Sequence, residues 1–499
     1  MKRFSVAMDG ATNAVLFEHL LRRDGQEDLC FAMWKPSNGL SRATALLQDP
    51  ILPVRGERQV HGNASFNPQY VLRAAQEAGY AGKGLAFAHS HPGGVGWQPL
   101  NSGDQLAESR IANVAREVTG LPLVGLTLAG DGSWSARFWS GVGRGLNPLG
   151  CDSVRVIGDG LRVTFDDSLV PVPKLAATQV RTVHTWGEKT HAMISRLRVA
   201  VAGAGSVGMA IADVLARTGI QRLGVFEFDT VELINIDRLR GASVLDAYLL
   251  RPKTHVARRL LEEGATAAEP SHEVHELSIC EPEGFRRLLD FDLVFSCVDR
   301  PWPRHVLNTI AFADLIPAVE GGLSAFQNSD RSLRNAYWSS SVVRLGQPCL
   351  VCLGQYEPAL VQVERDGSLD DPSYIANLPA DSPLRRRENV AALSTMVAAA
   401  LLQQFVALVA RPSGFADPGR LRFSLRDHTV EWVAAVCDPE CPYAASRGIG
   451  DARLDPSARH LRAEQAREYR AHVPLRIQMA RGLDDVTQGL RRGIHKLVS

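Results

Sequence analysis

The stretch "LRVAVAGAGSVGMAIADVLARTGIQRLGVFEFD", residues 197–229, limits the possible fold more than any other part of the chain. "LRVAVAG" reads as a buried strand, "MAIADVLARTG" as a helix and "RLGVFEFD" as a second strand. A helix that crosses from one strand to the next returns the chain in the same direction, so this rhythm implies a parallel sheet. Between the first strand and the helix lie Gly203, Gly205 and Gly208. Glycines there permit a tight turn and let a phosphate or ribose approach the backbone. Alone, such a loop would also suit an NAD-linked oxidoreductase. Asp229, roughly twenty residues on, is the position from which a carboxylate can hold ribose hydroxyls. The residues beyond it argue against hydride transfer. Asn235, Arg238 and Lys253 come in turn, and Asp299 closes the apolar run "FDLVFSCVD". Arg and Lys neutralise phosphates, and a strand-end Asp can hold Mg²⁺, which is chemistry for ATP attacked at its α-phosphate.

With these elements in this order, residues of about 181–441 resemble the adenylation domain of the ThiF/MoeB and ubiquitin-activating-enzyme superfamily. The resemblance implies that Asp229 holds the ribose, that Asn235, Arg238 and Lys253 position the triphosphate, and that Asp299 carries Mg²⁺. Glu227 stands where an Asp is more usual. Arg181, in "RTVHTWGEKTHAM", resembles an arginine that reaches the partner's ATP in family dimers, so a homodimer is expected. "CLVC" and "CDPEC" supply Cys349, Cys352, Cys437 and Cys441. Two close thiolate pairs can fill a tetrahedral zinc site completely, which makes that zinc structural.

A second motif lies far upstream. "GLAFAHSH" is a strand by composition, and residues two apart on a strand point the same way, so His89 and His91 can reach one ion. Pro92-Gly93-Gly94 breaks the strand, and the loop can return Asp104 to them. Two imidazoles and a carboxylate leave a fourth position open, the pattern of a catalytic rather than a structural zinc. The bland alternative is a polar loop with two surface histidines. The stretch resembles the JAMM (JAB/MPN) metallopeptidases, which cut peptide or isopeptide bonds after ubiquitin-like proteins. His89, His91 and Pro92 match that pattern directly. Asp104 matches as the third ligand, with the oxyanion-assisting residue open between Ser102 and Asn101. By the same resemblance Glu27, opening "EDLCFA", is the general base.

The expected architecture is therefore α/β. An α+β JAMM-type unit spans 1–145, a connector 146–190, a Rossmann-like adenylation domain with a four-cysteine zinc site 191–445, and a helical tail without assigned function 446–499. Net charge is +1, which gives no reason to expect a nucleic-acid or membrane partner. The uncharged run Val390 to Ala410 carries Ser394, Thr395, Gln403 and Gln404, so a buried helix is expected there. No signal peptide is read at the N-terminus, and a cytoplasmic setting is expected. The two resemblances together imply zinc (catalytic and structural), ATP and Mg²⁺ as cofactors, and a small ubiquitin-like or sulfur-carrier protein as partner. They also imply a conjugating-enzyme-like acceptor and, by analogy, a bacterial ubiquitin-like conjugation pathway. A non-catalytic scaffold stays open as an alternative. Cys30, Cys151, Cys280 and Cys297 have no activated setting, so no thioester is expected on this chain.

Overall fold

The computed structural model describes residues 2–61, 63–141, 145–378, 389–415 and 417–498. The backbone forms two large sheets and a small ribbon. The first sheet has nine strands. Arg3–Asp9 runs parallel to both Arg42–Ile51 and Ser153–Ile157, and Gly84–His91 lies between Leu29–Asn38 and Val124–Ala129. Its two faces are both covered. Helix Gly10–Leu20 packs Leu16 and Leu20 on one side with Met8, Cys30 and Trp34. Helices Pro68–Tyr80 and Ser102–Thr119 pack on the other, where Tyr70, Ala74, Ile111 and Ala115 meet Phe31 and Phe87. Helix Pro68–Tyr80 is amphipathic, burying Tyr70, Val71, Ala74, Ala75 and Ala78 on one side. The helices at 10–20 and 102–119 are additions to the sequence reading, in which 101–104 is a loop.

The connector also needs correction. Asn147–Gly150, Ser153–Ile157 and Leu161–Phe165 are strands of the first sheet. The runs "VRVIG" and "LRVTF" read as short strands in the sequence, but Arg155 obscures the core character of Ser153–Ile157, because a charged residue does not read as interior. It is nevertheless fully buried, and its guanidinium lies 2.8 Å from Asp292.

The second sheet has eight strands, in the order Ser271–His275, Arg222–Phe226, Arg198–Ala202, Leu293–Ser296, Ala318–Gln327, Leu333–Val343, Arg420–Ser424 and Thr429–Val433. The first five are parallel, as the strand–helix–strand rhythm requires, and the last three pairings are antiparallel. Helix Ser206–Thr218 packs on one face beside Ala391–Ala410, and Pro301–Ala313 packs on the other. Ala391–Ala410 is long and apolar enough to cross a membrane, yet 56% of its most apolar window is buried here, with Leu401, Phe405 and Leu408 inside the core. Arg198–Ala202 has Arg222–Phe226 on one side and Leu293–Ser296 on the other. Successive crossovers diverge at that point, so a crevice opens at the carboxyl ends of these strands.

The two units are joined by buried charge. Asp292 accepts from Arg42 at 2.5 Å, from Arg155 at 2.8 Å and from the Arg198 backbone at 3.0 Å, and all three side chains are buried. Burial alone would raise the Asp292 carboxyl, but Arg42, Arg155 and Arg198 together hold it well below the usual carboxylate range. The tail adds further seams. Arg447 pairs with Asp9, the Asn38 amide donates to Asp451 at 2.6 Å, and Arg453 meets buried Asp314 at 2.8 Å.

Candidate functional site

The crevice of the second sheet is a cavity of about 410 Å³. Gly203, Gly205, Asp229, Asn235, Arg238, Lys253 and Asp299 all line it. Gly203 has φ +94°, and a Cβ there would lie 2.5 Å from the Cys297 carbonyl. Gly208 sits behind the loop, where a Cβ would come 1.9 Å from the Gly203 carbonyl, so it serves close helix–loop packing. At Gly205 the Cβ position faces open space in the cavity. Glu227 fixes the turn. Its carboxylate accepts backbone N–H groups from Ala204 at 3.0 Å, Phe228 at 2.7 Å and Asp229 at 2.9 Å. A Glu in the usual place of an Asp thus has a role in loop geometry.

Lys253 opens helix Lys253–Gly264, and its ammonium lies 3.1 Å from Asp229. Burial would raise Asp229, yet Lys253 and Arg462 hold its carboxyl down. Burial likewise opposes the Lys253 charge, which Glu227 and Asp229 restore. Arg238 is turned back onto the Ile234 carbonyl at 2.6 Å, and Asn235 accepts the Glu232 N–H at 3.1 Å. Arg181 is exposed on helix Val180–Trp186 and does not line this cavity. Ser394 is buried and bonded to Ser206 and Asn389.

Two lining residues come from the tail, for which the sequence alone suggests no role. Arg462, on helix Leu461–Ala471, reaches both Asp229 oxygens at 3.3 Å and lies over the Phe228 ring. His460 packs edge-on against Phe228 and Trp302. The Arg-rich run "RHLRAEQAREYR" is the available signal, but nothing local ties it to a site more than 200 residues earlier.

In the first unit, His89, His91 and Asp104 converge. Each histidine Nε2 lies 3.4 Å from an Asp104 oxygen, and all three ligand atoms fall within 4.8 Å of one another. A tetrahedral zinc with arms of about 2.0–2.1 Å would set its ligand atoms about 3.3 Å apart, so the set fits. The His89 Nδ1 is buried without a partner, and its Nε2 lies 3.4 Å from Thr127. Thr127 in turn accepts from Arg137, which pairs with fully buried Glu108. Asn101 caps helix Ser102–Thr119: it accepts the Asp104 N–H at 2.9 Å and donates to the Asp104 carboxylate at 2.6 Å. Ser102 is exposed in the first turn. Glu27 precedes strand Leu29–Asn38, next to Asp28, whose carboxylate turns inward to Arg58 at 3.0 Å. Glu27 itself is half-buried just before that strand.

Cys349, Cys352, Cys437 and Cys441 also form one cluster that could hold a metal. The Cys349 N–H donates to Cys437 Sγ at 3.2 Å, and the Cys349 and Cys441 sulfurs are 3.5 Å apart, near the roughly 3.8 Å edge of a zinc–thiolate tetrahedron. Burial pushes the thiols of Cys30, Cys151, Cys280 and Cys297 up, although Cys297 lines the nucleotide-sized cavity.

A parallel sheet with a glycine turn at its switch point, and a mixed-charge cavity beyond it, defines a Rossmann-like nucleotide-binding unit. The chain belongs to the ThiF family, which residues 176–429 match. It is 30% identical over 178 residues to the molybdopterin-synthase adenylyltransferase of Escherichia coli (strain K12), covering 34% of this chain and 63% of that protein. It is 32% identical over 134 residues to ubiquitin-like modifier-activating enzyme 5 of Xenopus laevis, covering 23% of this chain and 31% of that enzyme. The chain thus spans less than two thirds of these relatives. A crystal structure of E. coli MccB with MccA aligns over 54% of this chain and 74% of that one, at 16% identity and a TM-score of 0.41. The family match leaves residues 1–175 outside it.

Proposed function

We propose that this protein uses Mg-ATP to adenylate the C-terminal carboxylate of a small ubiquitin-like or sulfur-carrier protein, and that its first unit is a zinc peptidase acting at the same kind of C-terminus. One observation carries the first part: residues spread from Gly203 to Asp299 meet in one cavity of suitable size. Lys253 and Arg238 would neutralise the triphosphate, and Asp299 would hold Mg²⁺. The partner's carboxylate attacks the α-phosphorus, forming an acyl-adenylate and releasing pyrophosphate. Pyrophosphate exchange into ATP, dependent on the partner, tests this. Asp299→Ala should cut the exchange by about a hundredfold or more, the usual cost of losing one such electrostatic group. Normal exchange by that variant defeats the reading.

Tetrahedral spacing supports a zinc ion held by His89, His91 and Asp104. Such an ion would supply a Lewis acid and an acidified water. Glu27 is then the group that takes the proton, and Ser102 or Asn101 assists the developing oxyanion. His91→Ala should lose one of two zinc ions per chain. Glu27→Gln should keep both yet fail to cleave a C-terminally extended partner; undiminished cleavage removes Glu27 from the role.

The names of the relatives leave two pathways. Protein adducts after incubation with ATP and a conjugating-enzyme-like acceptor would mark a bacterial-type ubiquitin-like conjugation. A carrier thiocarboxylate would mark sulfur transfer. The buried, raised thiols favour direct release of the adenylate, with no reductant-sensitive adduct on this chain. By the family resemblance we propose a homodimer in which exposed Arg181 serves the other copy, and mixing Arg181→Ala with Asp299→Ala chains should restore part of the exchange.

A further inference from the structure

A second cavity, of about 490 Å³, opens where the two units meet and shares no lining residue with the nucleotide cavity. Four arginines from separate segments face it: Arg162 from the first sheet, Arg344 and Arg411 from the second unit, and Arg447 from the tail. Two of these already have carboxylates. Arg344 pairs with Asp417, and Arg447 pairs with Asp9, which also caps helix Gly10–Leu20. Arg162 and Arg411 have no carboxylate partner among the described residues. Among the described residues the Arg411 guanidinium donates only to the Gly414 carbonyl, at 3.2 Å, and its Nε is buried and unpaired. Asp159 is the other acid at the cavity.

The backbone is shaped to keep these cations together. Arg411 and Ser413 both adopt left-handed angles, φ +48° and +54°, which non-glycine residues rarely take. Opposite them, a Cβ at Gly160 would lie 2.5 Å from Arg411 Cδ, and one at Gly10 would lie 2.8 Å from Gly158 Cα. Glycine walls, the start of an 11-residue helix and two like charges without counter-ions thus coincide. Arg162 is partly open to solvent, and the like charge of Arg411 beside it is a repulsion that a bound anion would relieve. Guanidinium forks match phosphate oxygens in pairs, helix N-termini favour anions, and small-molecule sites occur preferentially at domain junctions.

We propose that this junction cleft is a second ligand site that binds a phosphate-bearing small molecule through Arg162 and Arg411. The phosphate could belong to a nucleotide or to inorganic pyrophosphate. The test uses the full chain carrying Lys253→Ala, which weakens the first cavity, titrated calorimetrically with ATP, AMP, pyrophosphate and phosphate. The expected result is binding that persists in Lys253→Ala and falls at least tenfold when Arg162→Ala and Arg411→Ala are added. Tighter binding of AMP and ATP than of pyrophosphate assigns the site to a nucleotide; the reverse order assigns it to the inorganic ion. A measurement needing no variant at the cleft is protection of Arg162 and Arg411 from phenylglyoxal, mapped by mass spectrometry. No binding of any of the four to Lys253→Ala, equal affinity in the triple variant, or no protection overturns the site. This outcome is independent of pyrophosphate exchange, which reports on the first cavity.

Discussion

Arg462 shows how one side chain can link distant parts of the sequence. It lies 3.3 Å from Asp229, the residue proposed to hold a ribose, and Asp370, Asp299 and Glu227 also favour its charge. A cation held there lowers the repulsion that a triphosphate meets on entry. Arg462→Ala should therefore raise the KM for ATP by about ten- to a hundredfold, as expected for a lost hydrogen bond to a charged group, with a smaller change in kcat. Arg462→Lys should recover part of the loss, and steady-state pyrophosphate exchange measures both. A KM that falls instead would show Arg462 competing with the nucleotide. Residues such as Gly203, Asp229, Lys253 and Asp299 are legible in the sequence because each follows a strand or opens a helix at a spacing the chemistry dictates. Arg462 is not, because its position depends on how the tail folds back. Thr127, Arg137 and Glu108 are hidden for a related reason: they support His89 only through sheet register and helix packing.

At the scale of an element, helix Ser102–Thr119 carries both Asp104, the proposed zinc ligand, and a residue that supports its neighbours. Asp104 stands in its first turn, and Glu108 comes one turn later on the buried side. The cap therefore governs the aim of the carboxylate as well as the helix end. Asn101→Ala should cost about 1 kcal/mol of stability, as N-cap losses usually do, seen as a lower melting temperature. It should also weaken zinc binding about ten- to a hundredfold, the usual effect of removing a group that orients a ligand, measured by competition with a chromogenic chelator. Asn101→Asp can still accept the Asp104 N–H as a cap, but it replaces the donor to the Asp104 carboxylate with a like charge, so it should weaken zinc binding as Asn101→Ala does. The His89, His91 and Asp104 cluster is readable in the sequence and this helix is not, because "NSGDQLAESR" opens with turn-forming residues and shows little apolar periodicity until Ile111.

For the whole molecule, Asp292 is the charge on which the junction rests. Its folded-state carboxyl lies below the ordinary value, so its contribution is fully present above about pH 5 and declines as pH falls through and below the unfolded value of about 3.9. Melting followed between pH 7 and pH 3 should show the two units losing stability together in that lower range. Asp292→Ala leaves Arg42 and Arg155 buried without their shared partner, and should cost about 3–5 kcal/mol by chemical denaturation. A melting temperature in Asp292→Ala equal to the parent's would show that the junction does not depend on this charge. The expected boundary between units fails at 147–165 for the same reason that this network exists: a buried arginine looks like surface until its acid partner, over a hundred residues away, is known.

The covalent path between the units is, by contrast, slight. Residues 166–176 run outside both sheets, and Lys174 is exposed. A trypsin nick there removes one peptide bond and leaves Arg42, Arg155 and Asp292 in place, with the tail still lying along Asp9 and Asn38. The two fragments should co-elute on gel filtration and separate only in denaturant. The chain would then behave as a heterodimer whose halves happen to be synthesised in tandem, so the two halves made as separate polypeptides should reassemble without their tether.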